Sequence, residues 1–308
     1  MAYLRLMRPQ QWVKNVFVFA GLVFGRKLDH LPSVTDALLG FVLLSLVSSA
    51  VYVMNDVHDR EEDRLHPRKR LRPLASGAVS IPAATMLIAG LLAVSLGGSW
   101  LLDRGFFLCA ITYLVLQLFY TFSFKHVALL DVITIGVGFV LRAIAGAVLV
   151  HVEISHWLVV CTFTLCLFMG FSKRRCELAA LNGTGGTDAG AHRRTLLVYT
   201  PDLLNHMTTV TAGIAVMSYV LYAVDARTVG YFGTNYLMYL TPLVVFAIFR
   251  FALLVEHGRV DGPTEVVTRD RPFQAAVLLW GICAWAVVYH GTKIAAWLRK
   301  LADVPPAN

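Results

Sequence analysis

The chain has 308 residues, 57% of them hydrophobic and only 15% charged, with a formal net charge of +8 at pH 7. This composition is too apolar for an ordinary soluble protein of that length. Five cysteines (Cys109, Cys161, Cys166, Cys176, Cys283) are odd in number, lie mostly inside apolar segments and lack metal-ligand spacing, so they read as reduced packing residues.

Apolar stretches recur at about residues 10–25, 35–55, 82–102, 106–123, 128–150, 155–171, 205–224, 235–255 and 273–292. Most approach the length needed to cross the hydrocarbon core, which predicts an all-α polytopic membrane protein with about nine transmembrane helices. The first stretch is short, but it ends in Arg26-Lys27 without a small-residue cleavage pattern and is followed by many further spans. It therefore reads as a helix and not as a signal peptide.

The second stretch runs directly into Asn55-Asp56-Val57-His58-Asp59-Arg60-Glu61-Glu62-Asp63. Carboxylates at the end of a membrane-length segment are costly and point to a site. On a continuing helix Asn55, Asp59 and Asp63 share one face with Asp56 beside it, a set of hard oxygen ligands suited to Mg²⁺ carrying phosphate oxygens. A solvated helix end is the plain alternative. Against it, Arg64, Arg68, Lys69, Arg70 and Arg72 follow at once, and acid then base in one loop suits a metal-plus-phosphate site. His58 and His66 in this loop read as solvent-exposed.

The fourth stretch closes with Tyr120 and Lys125, and the fifth contains Asp131 and Arg142. Arg142 lies in an apolar run, where a charge costs about 3 kcal/mol on insertion scales. About three turns separate it from Asp131, so each is expected to face an internal polar cavity and not the other. The sixth ends in Phe171-Ser172-Lys173-Arg174-Arg175-Cys176-Glu177, with Lys173 and Glu177 on one face. Basic residues at a helix C-terminus also satisfy the dipole and topology. The Gly-rich segment 182–191 reads as a linker on composition.

Topology accounts for the positive charge better than nucleic acid does. Basic residues gather after the second, sixth and eighth stretches (Arg60 to Arg72; Lys173 to Arg175, Arg193, Arg194; Arg259, Arg269, Arg271), while the alternate loops carry only Arg104 and Arg227. The positive-inside rule places the N-terminus and the charged loops in the cytoplasm. Nine spans would leave the C-terminus outside, where Lys293, Arg299 and Lys300 fit poorly.

Asn55-Asp56-x-x-Asp59-x-x-x-Asp63 followed by Arg72-Pro73-Leu74-Ala75-Ser76-Gly77 resembles the first aspartate-rich motif and trailing Arg-Pro-Leu-x-x-Gly of the UbiA superfamily of intramembrane prenyltransferases. The opening Arg8-Pro9-Gln10-Gln11-Trp12-Val13-Lys14-Asn15 and the segment Tyr120 to Lys125 are also similar, so the resemblance covers nearly the whole chain. It implies a single transmembrane domain over residues 1–308 whose helices surround a central cavity open to the cytoplasmic face, in the cell (inner or plasma) membrane.

Where most of that superfamily has a second Asp-x-x-x-Asp, this chain has Lys173-Arg174-Arg175-Cys176-Glu177. That departure resembles the decaprenyl-phosphate phosphoribosyltransferase branch, which begins the route to decaprenylphosphoryl arabinose for arabinan-containing cell walls. The implied donor is 5-phosphoribosyl 1-diphosphate and the implied acceptor a polyprenyl phosphate lipid, with Mg²⁺ as cofactor. Three anionic groups (the diphosphate, the 5-phosphate and the acceptor phosphate) and one metal suit a single carboxylate face with surplus cations. On this resemblance Asn55, Asp56, Asp59 and Asp63 hold Mg²⁺ and the diphosphate. Lys14, Arg70, Arg72, Lys125, Lys173 and Arg174 neutralise phosphates, and Glu177 orients a cation or a ribose hydroxyl. Tyr120 donates to a phosphate oxygen, and Arg142 lines the cavity.

Two other activities compete. One is prenyl transfer from a prenyl diphosphate to an aromatic or other acceptor. The other is transport, which would put polar residues and broken helices at the midplane, whereas these charges concentrate at one rim. Ala143, Gly146 and Ala147 permit close helix packing, within the chain or in a homo-oligomer.

Overall fold

The protein is described from a computed structural model covering residues 2–65, 69–183, 194–257 and 263–301. His66, Arg68, Arg193, Arg259 and most of the Gly-rich segment lie outside the described residues. Among the described residues every regular element is helical: α1 (Ala2–Met7), a 3-10 segment (Pro9–Phe19), α2 (Ala20–Phe24), α3 (Leu31–His58), α4 (Arg60–Leu65), α5 (Ile81–Leu102), α6 (Arg104–Phe122), α7 (Leu130–Leu149), α8 (His156–Gly183), α9 (Pro201–Val224), α10 (Ala226–Phe232), α11 (Thr241–Glu256), α12 (Pro263–Arg269) and α13 (Arg271–Leu301). Eight of the helical stretches are long and apolar enough to cross a membrane, so the chain is a multi-pass membrane protein. The chain packs as two compact units, Met1–Ile154 and Ser155–Asn308.

Local chemistry sets the helix starts. Ser80 caps α5 through a bond from the Ala83 N–H, Thr200 caps α9 through Leu203, and Pro82 and Pro201 occupy the opening turns. Asp103 ends α5 and caps α6, its Oδ1 accepting the Phe106 N–H at 2.7 Å. One residue thus turns the chain between two spans.

The first apolar stretch departs from the expected long helix. Arg8 adopts a left-handed backbone (φ 49°), Pro9 follows, and the chain runs as a 3-10 segment before the short α2. Tertiary contacts dictate this. The Trp12 indole N–H donates to Ser49 Oγ at 3.0 Å and the Asn15 amide to Ser45 Oγ at 2.9 Å, both hydroxyls lying on α3. On the other side the segment approaches α7 backbone to backbone: a Cβ placed on Gly146 would lie 1.8 Å from the Val18 carbonyl oxygen, and one on Gly21 2.6 Å from Ala147 Cα. Gly146 and Ala147 thus serve a contact inside the chain. Val18 joins Leu44, Val47, Phe106, Tyr113, Ala145 and Leu149 in a buried cluster, which fixes α3, α6, α7 and the 3-10 segment together.

Gly146→Ala should therefore lower stability by about 1–3 kcal/mol through overpacking. Gly90→Ala, on α5 with nothing within 4 Å of its added Cβ, should be neutral or stabilising. Thermal melts of both variants in detergent check this, and equal melting temperatures would contradict the close approach.

Candidate functional site

The first unit gathers three carboxylates and three cations around the end of α3. Asp56 is 3% exposed and Asp63 2%, although Asp56 lies in the last turn of a transmembrane helix and Asp63 in the short polar helix α4. The helical register nearly continues through the junction, since the Asp59 N–H donates to the Asn55 carbonyl and the Asp63 N–H to the Asp59 carbonyl, both at 2.8 Å. Asp59 itself ends α3 and α4 begins with the next residue.

The pairing differs from a simple shared face of Asn55, Asp59 and Asp63. Asp56 and Asp63, two turns apart, share Arg72: its NH1 donates to Asp56 Oδ1 at 3.2 Å and to Asp63 Oδ2 at 2.6 Å. Asp59 turns instead to Lys125, whose Nζ donates to Oδ1 at 2.9 Å. Arg8 completes the set with a hydrogen bond and ion pair to Asp56 Oδ1, its guanidinium 5.3 Å from the Tyr52 ring centroid. Sequence reasoning assigned Arg8 no role; the signal was its place at the head of the Arg8 to Asn15 segment. The left-handed backbone that aims it costs of order 1 kcal/mol.

A tight turn delivers Arg72. The Ser76 N–H bonds the Arg72 carbonyl, Gly77 supplies the positive φ (79°), and Leu74 is fully buried with Leu6, Val53, Val79 and Ala84. Arg60 and Arg64 donate to the Leu74 and Ala75 carbonyls at 3.3 Å each. These two basic residues therefore brace the turn.

The donor set can be tested against a divalent metal. Each carboxylate gives one oxygen to the neighbouring cations: Oδ1 of Asp56, Oδ2 of Asp63 and Oδ1 of Asp59. Asn55 Oδ1 is buried with no hydrogen-bond partner among the described residues, a hard acceptor left open at the same place. Among the described residues no three His, Cys, Asp or Glu side chains close on a metal by themselves. The oxygen set itself suits Mg²⁺, which is ordinarily held by one or two carboxylates together with substrate phosphates and water.

Deeper in the same unit lies a buried cation without a carboxylate. Arg142 on α7 is 5% exposed; its Nε donates to Asn15 Oδ1 at 2.7 Å and NH2 to the Tyr113 hydroxyl at 2.6 Å. The Tyr113 hydroxyl also hydrogen-bonds Ser48 Oγ at 3.3 Å, and the guanidinium sits 4.6 Å from the Tyr113 ring centroid. Ser48 precedes Asp56 by eight residues on α3, so this network lies roughly 12 Å along the helix from the carboxylates. Asp131 is fully buried elsewhere on α7 and does not figure among these Arg142 bonds. Lys14 is on the exposed side of the 3-10 segment, Arg70 is exposed and His58 packs edge-on against Phe122. Tyr120 is half-buried near the end of α6.

The second unit has its own polar centre within α8, which continues past Glu177 to Gly183 and does not end in this segment as the sequence suggested. Arg174 is buried and pairs with Glu177 Oε2; Lys173 Nζ lies 3.7 Å from Glu177 Oε1, as the four-residue spacing predicts. Arg175 pairs outward with Glu256 at 2.6 Å. Sequence reasoning missed the Arg250–Asp270 pair, which is bidentate at 3.1 and 2.9 Å. Hydrogen bonding from that guanidinium holds the Asp270 carboxyl below the usual carboxylate range while Asp270 also caps α13 through Phe273.

Fold and site together define a polytopic helical membrane protein with a carboxylate and cation cluster suited to metal-bound phosphate. The chain matches the UbiA prenyltransferase family over residues 15–280 and belongs to it. It is 35% identical to the decaprenyl-phosphate phosphoribosyltransferase of Mycobacterium tuberculosis H37Rv over 93% of this chain and 94% of that protein. Identity is also 35% to the protein of that name from Corynebacterium glutamicum, covering 93% and 86% of the two chains. Among solved structures, a UbiA homolog from Archaeoglobus fulgidus bound to DMAPP and Mg²⁺ superposes with a TM-score of 0.72 at 21% identity, covering 94% of this chain and all of that one. An apo UbiA homolog from Aeropyrum pernix gives 0.60 at 18% identity over 94% and 98%. At those identities the structures establish the shared fold.

The buried network yields a stability test. Removing one partner of a buried charge costs more than removing the charge with an apolar replacement. Asn15→Ala should lower stability by about 2–3 kcal/mol, and Arg142→Met by clearly less. Detergent melts would contradict this if Arg142→Met were the more damaging of the two.

Proposed function

We propose that the chain transfers the 5-phosphoribosyl group of 5-phosphoribosyl 1-diphosphate to a polyprenyl phosphate, releasing diphosphate. The acceptor is decaprenyl phosphate or a similar carrier. The similarity to decaprenyl-phosphate phosphoribosyltransferases along 93% of the chain carries this reading. The cation-rich stretch of α8, with Glu177 as the carboxylate of the Lys173 to Glu177 segment, supports it, because the donor and acceptor bring phosphates that need cations. The family match crosses the junction of the two units, which supports their working as one domain.

In this reading Asn55, Asp56, Asp59 and Asp63 hold Mg²⁺ with the diphosphate, and the metal supplies neutralisation of the leaving group's charge. Arg72 and Lys125, already beside the carboxylates, take diphosphate oxygens. Lys173 and Arg174 take a phosphomonoester, Glu177 keeps their side chains in place, and Tyr120, Lys14 and Arg70 contact phosphate at the margin. Arg142 offers its remaining N–H groups to an anion from the wall. The acceptor phosphate is largely ionised at neutral pH, so a strong general base is not required. Its oxygen forms a bond to C1 as the C1–O bond to diphosphate breaks, through an oxocarbenium-like state, and a single displacement inverts C1. The basic loops support a cytoplasmic site in the plasma membrane.

With labelled 5-phosphoribosyl diphosphate and polyprenyl phosphate in detergent, label should enter the lipid fraction. Lys173→Ala should lower that transfer roughly ten- to a hundredfold, the worth of one charge-assisted hydrogen bond. Consumption of a labelled prenyl diphosphate with no ribosyl transfer would contradict the assignment and favour prenyl transfer.

A further inference from the structure

Arg8 stands outside the roles just given, yet it pairs with Asp56, one of the two buried carboxylates of the cluster. Three carboxylates, Asp56, Asp59 and Asp63, face three cations, Arg8, Arg72 and Lys125, so the cluster is close to neutral before any ligand arrives. A bare divalent ion entering it would place two further positive charges beside two guanidiniums and an ammonium. A metal bound to diphosphate brings its own anion. The metal can then use the second oxygens of the carboxylates and Asn55 Oδ1 while the phosphates receive the cations.

We propose that Arg8 is a positioning residue that makes this site selective for a metal–diphosphate pair over the free metal. The inference rests on the reading of Asn55, Asp56, Asp59 and Asp63 as holders of metal and diphosphate. Arg8 is the cation suited to set this selectivity. Arg72 is fixed by two carboxylates and a braced turn, and Lys125 pairs with the more exposed Asp59. Arg8 contacts Asp56 alone among the three, comes from a separate segment, and keeps 29% of its side chain exposed. It can leave Asp56 for a phosphate oxygen without disturbing the turn. Its left-handed backbone is stored at this point of the chain, where the guanidinium is aimed at the carboxylate and the Tyr52 ring.

The test is equilibrium dialysis of radioactive manganese against the full chain in detergent, at fixed free Mn²⁺, with and without inorganic diphosphate. The wild-type protein should bind Mn²⁺ at least tenfold more tightly when diphosphate is present. Arg8→Gln should bind Mn²⁺ alone severalfold better and lose most of the diphosphate enhancement, whereas Arg8→Lys should keep it. Arg5→Gln, an equal charge change at an exposed position of α1, should leave both values unchanged. Wild-type affinity indifferent to diphosphate, an Arg8→Gln ratio equal to wild type, or the same shift in Arg5→Gln would each overturn the proposal. Thermal melts confirm that the variants are folded; if Arg8→Gln is not, the Arg8→Lys ratio decides, and its loss counts against the proposal. Ribosyl transfer measured alongside separates the two claims. Transfer without diphosphate-dependent metal binding removes the Arg8 role alone, while diphosphate-dependent binding without transfer removes the donor assignment alone.

Discussion

Burying Asp56 and Asp63 at the end of a transmembrane helix is the constraint from which the rest of the first unit follows. Carboxylates with 3% and 2% exposure are costly in such a place unless cations pair with them closely. Three separate pieces of chain supply them. The left-handed residue before the 3-10 segment brings Arg8, the turn anchored by Leu74 brings Arg72, and the chain beyond α6 brings Lys125. Each of those pieces is irregular, and the surrounding long helices hold them still. The close approach of Val18 to Gly146 belongs to the same requirement, since it seats the segment that begins with Arg8.

The Arg142 network expresses the complementary imbalance. It is a buried positive charge answered by an amide and a phenol, with an aromatic ring beneath it. Neutral acceptors and cation–π contact stabilise such a group only in part. One unit therefore carries a balanced cluster at the helix end and an unbalanced cation deeper along α3. Under the proposed function, an anionic substrate is held at the first through a metal and attracted by the second without one.

Much of this was legible in the chain itself. Membrane-length apolar runs predicted the all-α architecture, and the Asn55 to Asp63 and Arg72 to Gly77 segments located the cluster. The spacing of Asp131 and Arg142 also anticipated that they would not pair. What escaped depends on contacts remote in sequence. Helical periodicity grouped Asn55, Asp59 and Asp63, but Arg72 draws Asp56 and Asp63 together and Lys125 draws Asp59 away. The first apolar run has helical composition, yet hydrogen bonds to Ser45 and Ser49 and the flat face of Gly146 select a 3-10 path. Arg8 gives no propensity signal for its left-handed backbone, because its aim at Asp56 is set by the fold. By sequence Gly146 and Ala147 are equally compatible with packing between chains, and in the fold Val18 and Gly21 lie against them.

The most direct measurement is an experimental structure of the full chain with 5-phosphoribosyl diphosphate and Mg²⁺. The account predicts metal density against Asn55 Oδ1 and the Asp56, Asp59 and Asp63 carboxylates, with the Arg72 and Lys125 side chains on diphosphate oxygens. Carboxylates still fully engaged by Arg8, Arg72 and Lys125, with metal and diphosphate bound elsewhere, would contradict it.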